Sequence, residues 1–147
     1  MAKEHPDHHD AELLLKLYDL RREPVMRESR QGINRNFWPK DYAEFSTFTK
    51  PEHPLNAALR QISSYWEMVY GMARWGIMHA EYLAEYSGEG LFLYARVKPF
   101  LEQHRAEASP VAFMNAQWMT ENTAAGKRLL QAFDARIQKY HDAKKHQ

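Results

Sequence analysis

The chain reads as all-α: a compact bundle of about six to seven helices around a central amphipathic helix at 55–75. Three observations carry that reading. Apolar residues recur at steps of three and four in one segment after another. No stretch alternates with the two-residue period of a half-buried strand. Prolines and capping residues stand between the periodic segments, where helices start and stop.

Residues 1–9 are polar and are expected to form a flexible tail, with His5, His8 and His9 among acids. Asp10 is expected to cap a first helix ending near residue 22, with Leu13, Leu14, Leu17 and Leu20 as its inward stripe. The pair Arg21 and Arg22 suits its negative end. Pro24 belongs in the first turn of a second helix, 24–36, which turns Met26, Ile33 and Phe37 inward and shows Arg27, Arg30 and Arg35 outward. Pro39 opens a short third helix. Asp41 and Glu44 have capping-box spacing there, and Tyr42, Phe45 and Phe48 make an aromatic face.

The connector 49–54 carries two prolines, and the central helix follows. Leu55, Leu59, Ile62, Trp66, Val69 and Ala73 fall on one of its faces, broadened by Ala58, Tyr65, Tyr70 and Met72. The opposite face holds Asn56, Arg60, Ser63, Glu67 and Arg74. Between the two runs a second seam of mostly small or apolar residues, Ala57, Ser64, Met68, Gly71 and Trp75. It packs either on a neighbouring helix or on another copy of the chain, since small residues let two helices approach closely. Gly76 and Ile77 read as a left-handed cap with its hydrophobic latch.

A short helix at 79–86 presents Tyr82, Leu83 and Tyr86, and the run 87–90, Ser-Gly-Glu-Gly, breaks it. Helix 91–107 starts buried most of the way round and is bent at Pro99. Ser109 and Pro110 then start a helix to residue 119, and a last helix spans 124–143 with Leu129, Phe133, Ile137 and Tyr140 along one side. Residues 120–123 are expected to interrupt them; since their apolar phases nearly match, the alternative is one long helix. Residues 144–147 close the chain as a second flexible tail, leaving 10–143 as a single helical domain.

At 147 residues the chain has the length of one domain and needs neither metal nor disulfide to bury a core. It has no cysteine, which excludes disulfide frameworks, thiolate metal sites and cysteine nucleophiles. Twenty basic and 19 acidic side chains nearly cancel, so net charge calls for neither nucleic acid nor an anionic membrane. The charge is uneven: residues 16–40 hold seven basic against three acidic groups, and residues 41–90 hold three against seven. No segment approaches the roughly 20 apolar residues of a membrane span. The amino terminus lacks a signal-peptide core, and a cytoplasmic location is expected.

The runs ISSYWEM, GIMHAEYL and GEGLFLYARVKPFLEQHR, with LLLKLYDLRREPVMRESR upstream, resemble a family of small all-helical bacterial proteins of unknown function. That family shares a Tyr-Trp helix, a Gly-Ile cap, a Gly-Glu turn and a helix with Pro-Phe-Leu. The resemblance covers about residues 11–105. It departs from the pattern at Met78 and His79, where an acidic cap is expected. It implies a helical fold and supplies no catalytic residue.

Candidate chemistry is sparse. Paired Glu-x-x-His and His-Glu-x-x-His spacings are absent, and His53, His79 and His104 lie in separate segments. Gly88 and Gly90 lack the lysine and strand of a phosphate loop. Ser63 and Ser64 stand mid-helix, away from any nucleophile elbow. Hence no catalytic residue, no metal and no cofactor is expected, and an enzyme ranks last. The leading expectation is a non-enzymatic module that contacts a protein partner or itself as a homodimer, with Ala57, Ser64, Met68, Gly71 and Trp75 as interface. The alternative is a small-molecule or nucleic-acid binder. It would use a pocket near Tyr65, Trp66 and Glu67, with Arg60 and Arg74, or the basic surface of helix 24–36; nucleic acid is disfavoured by the net charge.

Overall fold

A computed structural model describes residues 3–147, and within them every regular element is helical. The order is α1 (His8–Leu20), α2 (Pro24–Asn36), α3 (Tyr42–Phe48), α4 (Asn56–Arg74), α5 (Ala80–Tyr86) and α6 (Gly88–Val97). A 3₁₀ turn (Lys98–Phe100), α7 (Leu101–Glu107), α8 (Met114–Asn122) and α9 (Ala124–Lys145) complete it. The central helix α4 lies among α2, α5, α6 and α8, and α9 packs across α5, α6 and α8.

The predicted stripe of α4 is the middle of the core. Leu59, Ile62, Trp66, Val69, Tyr70 and Ala73 are all buried, against Phe37, Phe45, Leu91, Leu93, Val97 and Met119 from other elements. Each large side chain so buried contributes about 1.5–3 kcal/mol. Gly76 ends the helix at φ 78°, with its amide bonded to the Ala73 carbonyl and the Ile77 amide to the Met72 carbonyl. The latch is not Ile77, which stays exposed; the next residue, Met78, is buried in its place.

Several local expectations shift. Asp7, not Asp10, caps α1, and Asp10 closes the capping box from inside the helix, with no exposed surface. Residues 8 and 9, expected in the tail, are therefore the first turn of α1, while residues 1 and 2 lie outside the described residues. Leu20 points to solvent, because α1 buries only Leu14 and Leu17 among its leucines. The run 87–90 is not a break: Gly88 to Gly90 form the first turn of α6, and only Ser87 separates it from α5. Pro99 divides the expected helix 91–107 into α6, the 3₁₀ turn and α7. Residues 110–113 are a turn, so α8 begins four residues later than the Ser-Pro signal suggested. Helices α8 and α9 are separate. Thr123 between them is extended, and its hydroxyl accepts from the Gly126 amide at 2.9 Å.

Gly90 is where α6 comes closest to α4. A Cβ there would stand 2.5 Å from the Tyr70 hydroxyl and 2.6 Å from Trp66 Cγ, so no other residue fits without moving the helices apart.

Candidate functional site

Close packing on one side of α4 contrasts with an open cleft on the other. The cleft has a volume of about 680 Å³ and lies between α3, α4, α7 and the turn before α8. Val111, Ala112 and Phe113 form its accessible apolar wall over a floor of the buried Phe45, Leu59 and Val97; Arg60, Ser63, Ser64, Glu67 and His104 supply the polar groups. An apolar concavity with a few polar side chains is the usual form of a small-molecule site.

Each wall is held by a local cause. Phe113, at φ 57° and ψ 23°, is the one non-glycine with positive φ among the described residues. Such a backbone costs about 1–3 kcal/mol and persists only where neighbours impose it. Two contacts do so here. Arg105 donates from Nε and Nη2 to the Ala112 carbonyl at 3.0 and 2.8 Å. On the other side, Glu67 accepts from the amides of Asn115 and Ala116 at 2.9 and 2.8 Å. The Glu67 carboxylate thus does for α8 what its own N-cap residue does not, since Phe113 has no side-chain acceptor. Burial raises the Glu67 carboxyl above the ordinary glutamate value, against the opposing pull of those two amides.

His104 packs edge-on to Phe45, with ring centroids 5.2 Å apart. Burial lowers its pKa, so the imidazole facing the cleft is largely neutral at pH 7. Arg60 is exposed and has no ion pair among the described residues. The cleft therefore offers an apolar body site, a neutral ring and one free cation at its rim.

A second polar cluster lies on the opposite side of α4. Glu89 receives Arg30 Nε at 3.0 and 2.9 Å, Arg21 Nη2 at 3.2 Å and the Trp66 indole at 3.2 Å. Burial pulls the Glu89 carboxyl up, but its bonds and charge interactions with Arg30 and Arg21 outweigh that and hold it below the usual value. Nearby, Arg96 is 2% exposed and donates to the carbonyls of Ile33 and Phe37 at the end of α2, at 3.1 and 2.8 Å. Burial brings its pKa down to about 9. Phe92, Trp38 and Phe37 surround the guanidinium at 4.6 to 5.6 Å, where ring faces attract a cation.

The five expected ligand-binding residues do not converge. Arg60 and Glu67 border the cleft, whereas Tyr65 and Trp66 face away from it, toward the Glu89 cluster. The Tyr65 hydroxyl donates to the Leu17 carbonyl at 2.6 Å. Arg74 reaches Asn115 at 3.1 Å, outside the cleft. Along the line Arg60, Glu67, Arg74, α8 covers Glu67 and leaves Arg60 and Arg74 exposed. Of the seam residues, Gly71 lies against Asn115, while Ala57, Ser64, Met68 and Trp75 are exposed, Trp75 by 79%.

The three inner histidines stay apart in role. The Nδ1 atoms of His53 and His79 accept local amides, from Leu55 and Tyr82, and His104 rests on Phe45. No group of three His, Asp or Glu stands ready for a metal among the described residues. Nor is any helix among them long and apolar enough to cross a membrane. Sequence reasoning placed Phe45, Leu59 and Val97 in the core, where they are, and did not single out His104, Val111 and Phe113 as lining a cleft. Nothing local marks them. Arg96 did carry a signal, as the lone charge in the apolar run 91–97.

No curated protein and no solved structure is significantly similar to the chain. A family model does match, over residues 6–123, which takes in α1 to α8 and stops where α9 begins. The chain belongs to that family, described as a domain of unknown function, DUF4760.

Proposed function

We propose that this protein binds a small, mainly apolar molecule carrying one anionic group, in the cleft beside Glu67. The observation that carries the reading is a cleft of about 680 Å³ left open beside a well-packed core, with its wall fixed by a strained Phe113. Packing normally closes such spaces, and strained backbone gathers at sites that bind. The apolar body would lie against Val111, Ala112 and Phe113, and the anionic group would meet Arg60. Glu67 and Arg74 then act on the position of α8, and Tyr65 and Trp66 act on the core.

A thermal-shift titration with 2-naphthoate as probe tests this, since a ligand of the folded state raises the midpoint by mass action. The midpoint should rise with the wild type, rise less with Arg60→Gln, and stay flat with Ser63→Phe, which fills the cleft. A wild-type midpoint indifferent to the probe, or a response equal in all three proteins, overturns the reading.

Self-association is the second reading, favoured by Met68 and Trp75, which α4 leaves 51% and 79% exposed. Exposed Trp and Met in line with small Ala57 and Ser64 suit a helix–helix contact between two copies. Sedimentation at rising concentration tests it: a dimer lost in Trp75→Ala supports the reading, and a monomer throughout removes it.

A further inference from the structure

The hairpin of α1 and α2 encloses a separate cleft of about 420 Å³, far in composition from the first. Four arginines line it, Arg21, Arg22, Arg27 and Arg30, with Leu15, Tyr18 and a single acid, Asp19. Their charges are unequally matched. Arg21 and Arg30 share the one Glu89 carboxylate behind the cleft. Arg22 reaches Asp19 only at 3.7 Å, with both side chains 78% exposed, a pairing that water screens heavily. Arg27 donates to the Arg22 carbonyl oxygen at 3.0 Å and meets no carboxylate among the described residues. Glu23, the nearby acid of the connecting turn, is engaged with the Met26 amide at 2.9 Å. The cleft is therefore cationic, with its inner pair of guanidiniums fixed by Glu89 and its outer pair held only by one screened ion pair and one backbone carbonyl.

Beside this charge the wall is apolar. Leu15 is 71% exposed and Tyr18 41% exposed, on the face of α1 next to the arginines. Guanidinium forks recognise phosphate oxygens by paired charge-assisted hydrogen bonds. We propose that the α1–α2 cleft binds a phosphate group borne on an apolar body, with Arg22 and Arg27 on the phosphate and Leu15 and Tyr18 against the body. A free phosphate monoester and a phospholipid headgroup share that chemistry.

The test uses the full chain, titrated by calorimetry with inorganic phosphate and phenyl phosphate. Cosedimentation with phosphatidylcholine vesicles, with and without phosphatidic acid, is run alongside. Phenyl phosphate should bind more tightly than inorganic phosphate, and the double variant Arg22→Gln/Arg27→Gln should weaken it by about tenfold or more, as expected for lost charge-assisted bonds. Both side chains are exposed, so the variant should keep the wild-type thermal midpoint. Sedimentation with phosphatidic acid vesicles that the double variant abolishes identifies the headgroup as source. Phenyl phosphate binding without vesicle binding identifies a free monoester. If neither probe binds, or the double variant binds both like the wild type, the proposal fails.

Discussion

Glu67 and Glu89 sit on opposite sides of α4, both largely buried and both hydrogen-bonded, yet their carboxyls are displaced in opposite directions. Desolvation is the largest influence on each. Around Glu89 it is overcome by two guanidiniums and an indole N–H. Around Glu67 only two backbone amides oppose it at contact distance, and Arg74 and Arg105 act weakly from farther away. Partial charges at a helix terminus offset less of the burial cost than whole charges do. The same division appears in packing. The Glu89 side admits no Cβ at Gly90, while the Glu67 side leaves room for a ligand. One helix thus supports a locked region on one side and an adaptable one on the other.

Breaking the locked side should have the largest effect. Glu89→Ala leaves Arg21 and Arg30, 10% and 26% exposed, without their carboxylate, and should cost about 3–5 kcal/mol in urea unfolding. If the loss is no more than that of an exposed alanine substitution, the locked region is not held by this cluster. Gly90→Ala should come next, at about 1–3 kcal/mol, because the added methyl meets Trp66 near its Cβ rather than at a flexible tip.

On the other side Glu67→Ala should cost less, about 1 kcal/mol at neutral pH, through the lost hold on the first amides of α8. Its pH signature sharpens the contrast. The raised carboxyl of Glu67 gives a stability contribution present below its unfolded value and lost as pH rises through the folded one. The depressed carboxyl of Glu89 contributes above its unfolded value and loses that as pH falls through the folded one. Unfolding curves of wild type and Glu67→Ala from acid to neutral pH should therefore converge toward neutrality. Parallel curves would mean that Glu67 titrates as in the unfolded chain. The smallest effect belongs to Ser63→Phe, which projects into open volume and should stay within about 0.5 kcal/mol of wild type. A large loss would show that the cleft closes in solution.

The elements were legible because helix signals are local. Pro24, Asp41 and Gly76 mark helix ends where the structure has them, and the stripe of α4 predicted most of its buried face, Asn56 being buried from the side read as polar. The cleft was not legible. His104, Val111 and Phe113 carry no pattern of their own, and whether they line an open space depends on where α7 and the turn before α8 lie. The seam of α4 was ambiguous for the same reason: spacing groups Ala57, Ser64, Met68, Gly71 and Trp75, but only position decides that Asn115 meets Gly71 and leaves Trp75 bare.

What the amino-acid order determined by itself is the all-helical class, the faces of the helices and most of their ends, since each rests on contacts within a turn or two. The tertiary structure alone decided which acids reach the starts of α5, α8 and α9. The amide of His79 bonds to Asp10, 69 positions away; that of Asn115 to Glu67, 48 away; that of Ala124 to Glu81, 43 away. A carboxylate can satisfy any exposed amide that folding brings within reach, so its partner is set by the path of the chain in space and not by its spacing along it.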